Sequence, residues 1–562
     1  MLKRKSEQCV WLLACALWVA SASLAQDDLD EFDLDEISIE VPVNTAEEQR
    51  SHRIDATLTK ACDNPLTAFD IVEALTSPTP FGHPPIQLQN FLQQNQSLYQ
   101  FTNPPVVREL HDLPTLMPFE YHCAPSWAFS ANAFFNQTRK VYFTQNSPYI
   151  GCYLNLTVPD LINLIATDEF PADNIPSVLD IVGKNLTLEE RRVGAMLDVW
   201  KHYKRWIFTA ALPVYLVEHN FFLSQATQNK LLELPIFTGG AGLPGLNFDN
   251  FTSQHLIRDR AGIGDLRLQV LYDCARCEDQ QIQLGGQITF PTAKAAITGV
   301  VGGKSKICRP PTINLFELLN LGLCGAPESV GGGGDKESLL DAKELAVGYG
   351  IATLDQLAET LCDRSLGQDH VNLGPIIHIQ QPVWSHNCFE SSFELYGEMK
   401  YSIPAHEVRF LKIITPAAAF NRDYTVEADA DSNLAFLDEQ TTNYLFPAIV
   451  NIKTKPGLMF HTTAALNGFW NEWEAGLGYD FWAQLKEKFG RLKCQASGFG
   501  STFDGNAGRK QTAYEGKIFG QAGMRLCGET FAMRFLVRGD ATVHHKGIGS
   551  SFTASLNFII DY

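Results

Sequence analysis

Past residue 25 the chain lacks any apolar run long enough to cross a membrane as a helix. The best stretch, Trp206 to Val217, is broken by Pro213 and falls short of the ~20 residues a span needs. That excludes a helical membrane protein. Positive charge is also in short supply: 44 Lys and Arg stand against 63 Asp and Glu, a net charge of -19. Nucleic acid wants a basic surface and is not an expected partner. Catalytic motifs are missing as well. There is no G-x-S-x-G elbow, no H-E-x-x-H and no phosphate loop, and the glycines from Gly331 to Gly334 are not followed by Lys-Ser or Lys-Thr. No enzyme, no cofactor and no metal site is therefore expected. The Cys274-x-x-Cys277 spacing has no second pair, which zinc would need. A turn disulfide or two inert thiols remain as its readings. Of 13 cysteines, Cys9 and Cys15 fall in an N-terminal leader, so an odd number remains and at least one is unpaired.

The leader has a secretory pattern. Lys3, Arg4 and Lys5 precede an apolar stretch from Cys9 to Val19, and Ser23, Leu24 and Ala25 form a small-residue cleavage site before Gln26. Residues 1–25 read as a cleaved signal peptide. A lipobox at Leu12 to Cys15 competes, but the apolar run continues past Cys15. Residues 27–40 form an acidic tail without the Gly and terminal Glu of an EF-hand loop. Ile37 to Val41 also fits an energy-coupling box, though the chain is short for a gated receptor. Residues 26–120 as a whole read as this tail plus a Pro- and Gln-rich segment, either periplasmic or lodged in the lumen of a barrel formed by the rest of the chain.

From Ser126 the texture becomes period-2 alternation, the mark of strands with two unlike faces. Trp127, Phe129, Ala131, Ala133 and Phe135 alternate with Ser130, Asn132 and Asn136. Leu266, Leu268, Val270 and Tyr272 alternate with Asp265, Arg267 and Gln269. The last segments are the clearest: Phe552, Ala554, Leu556, Phe558 and Ile560 oppose Ser551, Thr553, Ser555, Asn557 and Asp561. A soluble sandwich uses strands of ~5–6 residues. A membrane barrel uses strands of ~10 residues with a polar interior. These segments match the longer kind, and they predict an all-β antiparallel transmembrane β-barrel over 121–562. The strands are placed near 126–137, 140–154, 204–217, 262–273, 281–292, 371–380, 389–402, 444–453, 457–467, 473–486, 490–499, 513–526, 529–542 and 549–562. That is about fourteen, within twelve to sixteen. Parity then sets 293–370, 403–443 and 500–512 outside the cell. Helical insertions are expected near 155–203 and 335–361. The first rests on a capping box from Thr187 to Glu190, followed by Met196, Val199, Trp200 and Tyr203 at helical spacing. Such a helix would pack on the barrel mouth or act as a plug. His544 and His545 read as a pair in a tight turn. The Asn-x-Thr triplets at Asn136, Asn155, Asn185 and Asn250 would be glycosylation acceptors only in a eukaryotic host.

The C-terminal Phe558, Ile560 and Tyr562 resemble the assembly signal of bacterial outer-membrane barrels, with Tyr in place of the usual closing Phe. Two further motifs, Gly262 to Leu266 and Leu284 to Thr292, resemble the barrels of the long-chain fatty-acid transporters and the outer-membrane proteins of phenol-degradation pathways. Ala293 stands where those proteins usually have Gly. The resemblance implies a barrel of this size in the bacterial outer membrane, with membrane lipid and the barrel-assembly machinery as partners. It carries no binding residue across.

The polar strand faces are the candidate site. Asp265, Arg267, Glu394, Glu398, Lys400, Arg525, Arg534, Arg538 and Asp540 would line the lumen. Arg525, Arg534 and Arg538 would form a basic ladder of the kind that sets a transverse field. The competing reading is that these charges pair across strands and hold the barrel together. The expected function is a channel or passive transporter for small solutes, hydrophobic ones among them. A structural or adhesive barrel acting through its loops, and a secreted soluble β-rich binding protein, are the alternatives.

Overall fold

Backbone groups in lipid have no water to bond, so a sheet can cross a membrane only if it closes on itself. The computed structural model shows such a closure. It describes residues 97–117, 127–142, 148–149, 151, 185–222, 224–232, 257–277, 280–293, 366–386, 388–414, 446–492, 502–528 and 531–561. The strands in chain order are β1 (Trp127–Val141), β2 (Thr187–Tyr203), β3 (Trp206–Phe222), β4 (Ile257–Ile263), β5 (Leu266–Cys277), β6 (Gln280–Phe290), β7 (Asn372–His386), β8 (Phe389–Ser402) and β9 (Ala405–Ile414). They continue with β10 (Ala448–Lys455), β11 (Met459–Trp470), β12 (Trp473–Gln484), β13 (Lys488–Leu492), β14 (Thr502–Asp504), β15 (Ala513–Cys527), β16 (Ala532–Lys546) and β17 (Ser550–Asp561).

Twelve of these form a closed antiparallel barrel in which spatial order follows chain order: β1, β2, β3, β5, β6, β7, β8, β11, β12, β15, β16, β17. The seam is β1 against β17, in register from Ala128 opposite Asp561 to Arg139 opposite Ser550. β4 is a thirteenth piece that pairs with the far half of β3, while β5 pairs with its near half. The two are one strand interrupted at Gly264 and Asp265, where it passes Pro213. Proline has no N–H to give the ladder, and the Gly264 amide donates instead to the Pro213 carbonyl at 2.8 Å. A second sheet, in the order β13-β10-β9-β14, is hydrogen-bonded separately from the barrel.

The strand count differs from the expected fourteen for identifiable reasons. Residues 187–203 are strand β2, not a helix, so the capping-box reading of Thr187 and the helical insertion over that stretch are wrong. The extended ladder to β3 outweighs a local cap. Residues 444–453 and 490–499 were expected in the wall, but β10 and β13 belong to the second sheet. Lys140 and Val141 end β1, and most of the rest of 140–154 lies outside the described residues, as do the 335–361 insertion, residues 1–96 and Tyr562. His544 and His545 are not in a turn: β16 runs to Lys546, and Gly547 makes the bend with φ +69°. Cys274 is a free, exposed thiol.

The ends of the barrel are unlike. At one end the joins are 204–205, 278–279, 387–388, 471–472 and 528–531; at the other all are long except 547–549. The two-residue turn after β11 holds Asn471 at φ 52°, the left-handed conformation a tight hairpin demands. Outside, the wall is apolar. Leu477, Val537 and Leu556 stand about two-thirds exposed in its middle. Trp127, Tyr203, Trp206, Trp384, Trp470 and Trp473 ring the short-turn end, and Phe290, Tyr401, Phe460 and Phe552 ring the other. An apolar belt between two aromatic girdles is the outer surface of a membrane barrel.

Leu477→Arg should therefore cost about 2–4 kcal/mol of folding stability in lipid. On a water-facing surface the same change would stay within about 0.5 kcal/mol. Urea unfolding in vesicles separates the two outcomes.

Candidate functional site

The inner face of each strand carries what the outer face excludes. Arg267, Gln283, His378, Glu394, Glu398, Lys400, His461, Asp480, Lys517, Arg534 and Arg538 are all buried. A buried charge is tolerable only when paired and hydrogen-bonded, and these are. Arg534 is paired with Glu474, and Lys517 donates to Asp540 at 2.8 Å. His378 joins Glu394 at 2.7 Å, and Asn467 donates to the same carboxylate at 3.0 Å.

Inside the barrel lie residues 97–117. They run extended, with a short 3-10 turn at Leu110–Asp112 and a second turn closed by the Leu116 amide donating to the Leu113 carbonyl at 2.9 Å. Proline at 104, 105 and 114 keeps them out of any helix. Near the long-loop end the Thr102 amide donates to the Ala507 carbonyl at 2.9 Å. Arg108 then reaches Asp480 on β12 at 2.5 Å and Glu515 on β15 at 3.4 Å. Glu109 accepts from Lys400 at 2.9 Å. Asp112 is the hub: Lys400 pairs with it, Arg267 lies at 3.5 Å, and the Trp482 indole donates to it at 3.2 Å. Further in, the Thr115 hydroxyl donates to Asp540 at 2.7 Å, and Arg538 donates to the Met117 carbonyl at 2.9 Å. Arg192 on β2 donates to the Arg108 carbonyl at 2.8 Å, and Asn132 on β1 to the Thr115 carbonyl at 3.1 Å. The segment is thus bonded to walls on all sides of the lumen. It leaves a cavity of about 120 Å³ on its long-loop side, among Pro105, Glu190, Tyr215 and Glu407, and one of about 30 Å³ among Met117, Trp200 and Tyr396. These have room for a few waters and about one water.

The expected site residues all lie on inward-facing positions, but as partners rather than free charges. Arg267 binds Glu398, the Tyr396 hydroxyl at 2.9 Å and the His111 carbonyl at 3.0 Å. Asp265 accepts from the Gln368 amide at 2.7 Å and the Ala293 amide at 3.3 Å. Arg525 is half-buried opposite Arg534, near the short-turn end. Asp112, Glu398 and His461 have the donor set of a metal site. Arg267 and Lys400 already occupy those carboxylates, so the cluster is balanced by protein cations. Phe558 and Ile560 face outward on β17.

Arg108, Glu109, His111 and Asp112 were not among the residues expected from the sequence. The signal for them was four ionisable residues in five positions, Arg108 to Asp112, within an otherwise uncharged Pro- and Gln-rich stretch. One wall of the lumen is apolar instead: Phe134, Met196, Ala211, Tyr215 and Val217 on β1 to β3 pack with Leu110, Leu113 and Leu116. Gly194 lies between Phe134 and Tyr215 and lets their rings come within 6.3 Å; a Cβ there would meet the Tyr215 backbone at 2.6 Å.

No protein-family model and no curated protein matches the chain. Solved structures similar to it include an outer membrane channel from Pseudomonas putida F1, at 8% identity and a TM-score of 0.34, covering 79% of this chain and 98% of that one. The Pseudomonas putida toluene transporter TodX is similar at 6% identity and 0.25, covering 83% and 95%. The Ralstonia pickettii toluene transporter TbuX is similar at 8% and 0.28, covering 80% and 91%.

His111 gives the seated segment a pH dependence. Burial, then the nearby Arg267 charge, push its imidazole down to about 3, although one ring N–H donates a 2.7 Å hydrogen bond to the Asp265 carbonyl. Released into water, the ring would take a proton near its ordinary 6.5. Between those values the released His111 binds more protons, so its contribution to seating weakens as pH falls from 6.5 toward 3. Glu109 in the same segment is pushed up by burial and acts in the opposite sense, so His111 is read by difference: lowering the pH over that interval should raise conductance in planar bilayers more in the parent than in His111→Gln.

Proposed function

We propose that the chain is an outer-membrane channel or passive transporter for small solutes, gated by residues 97–117. One observation carries this reading: the lumen is filled by a segment that belongs to no strand. Side-chain bonds to the wall hold it. A barrel wall cannot open without breaking a ladder, whereas this segment can leave by exchanging ion pairs for water. The apolar wall of β1 to β3 supports solutes with hydrophobic character. It continues toward the short-turn end through Met117, Ile207, Leu271 and Ile376. Short joins at one end and long ones at the other support the orientation of outer-membrane barrels, with the long loops outside. In this reading Asp265, Arg267, Glu394, Glu398, Lys400, Arg525, Arg534, Arg538 and Asp540 line the path once the segment moves. Phe558, Ile560 and Tyr562 serve as the signal read by the barrel-assembly machinery.

Asp112→Ala strips Lys400 and Arg267 of a buried partner. Breaking such a pair costs about 3–5 kcal/mol, which moves the seated-to-released ratio by a hundredfold or more. The variant should admit solutes into liposomes that the parent admits slowly. If parent and variant are equally impermeable, the barrel is a structural one. Arg534→Glu with Arg538→Glu should shift the released channel toward cations, and unchanged reversal potentials would remove both arginines from the path.

A further inference from the structure

Three neighbouring strands leave the barrel with a break at the same level. β8 passes to β9 across 403–404, β10 to β11 across 456–458, and β12 to β13 across 485–487. Pro404 and Pro456 supply breaks that a ladder cannot bridge. β9, β10 and β13 then pair in the same order as β8, β11 and β12, so the wall is prolonged beyond the lipid-facing belt. One face of this extension looks to the lumen. There Arg409 binds Glu407 at 2.7 Å and Glu487 at 3.1 Å, and His370 binds Glu407.

The opposite face carries lysine. Lys453 and Lys455 project from β10, Lys488 from β13 and Lys486 from the break before it, all exposed. Lys455 and Lys488 are direct partners in the ladder, an arrangement of like charges that costs stability unless something answers it. Glu487, between Lys486 and Lys488, is turned inward to Arg409. Among the described residues no carboxylate forms an ion pair with any of the four. They stand together in a chain whose net charge is -19. Their height is set by Tyr401, a member of the aromatic girdle, whose ring centre is 5.9 Å from the Lys455 ammonium.

We propose that this lysine face binds the phosphate-bearing headgroup of an anionic lipid in the leaflet on the long-loop side. Charge complementarity gives the phosphate. Continuity with the girdle gives the lipid: acyl chains would lie on Tyr401 and Phe460 while the headgroup rises to the ammonium groups. The inference needs the barrel to sit in a membrane and is independent of what passes through it.

The full chain is placed in vesicles of phosphatidylcholine alone, with bis-phosphorylated lipid A, or with lipid A stripped of its phosphates. Lipid retained in native mass spectrometry and the unfolding midpoint are read. Phosphorylated lipid A should be retained and should raise the midpoint, with about fivefold weaker binding for each lysine removed. The quadruple change Lys453→Gln, Lys455→Gln, Lys486→Gln and Lys488→Gln should abolish retention. The pairs Lys453→Gln/Lys455→Gln and Lys486→Gln/Lys488→Gln should fall between, and their heat-dependent mobility on gels reports an intact barrel. Equal retention of the stripped lipid, or parental binding by folded variants, would overturn the proposal. Inorganic phosphate displacing the lipid at matched phosphate concentration would overturn the assignment to a lipid.

Discussion

Everything in this molecule depends on the pairing of β1 with β17. Until those two strands meet, the sheet has two open edges, and an edge in hydrocarbon leaves a row of backbone groups without partners. Closing it fixes the number of strands at twelve and gives the wall two faces with opposite solvents. Lipid on the outside selects Leu477, Val537 and Leu556. The enclosed inside, away from both lipid and bulk water, selects charges that can find one another.

The inner charges owe their pairing to that enclosure. An isolated carboxylate there would be expelled or neutralised, and Glu398, Glu474 and Asp480 are each matched by a cation. Much of the matching is done by one short segment. Asp112 brings an acid to Lys400 and Arg267, and Arg108 brings a base to Asp480 and Glu515. The wall residues are thus complementary to a thread, not only to each other. In the proposed channel, charged pairing inside the barrel and a solute path through it are two states of the same residues.

The outer faces of the strands were legible because lipid imposes a strict rule on every second residue. For the same reason the alternation around Arg267, Glu398, Lys400 and Arg534 set them on the face opposite the lipid, where their side chains are buried. β2 was lost where the rule lapses. Its inner face interrupts Glu190, Arg192 and Asp198 with Gly194, Met196 and Trp200, so the polar half of the alternation is broken. Thr187 and Glu190 then mimic a helix cap. β10 and β13 were counted into the wall because an amphipathic sheet above the membrane alternates in the same way. Residues 97–117 gave no periodicity to read, since they form no regular element. Their partners lie hundreds of positions away, as with Arg108 and Glu515, separated by 407 residues.

That separation bears on the order in which the molecule is made. The thread precedes β1 in the chain, while several of its partners sit on β15, β16 and β17 at the far end. A hoop closed first would have to be threaded through an opening already lined with unmatched charge. A hoop closed around the thread meets each charge with its partner in place. Synthesis therefore delivers the stopper before the neck of the bottle exists. The slow event in maturation should be one late, long-range step, in which the seam shuts and the lumen fills together.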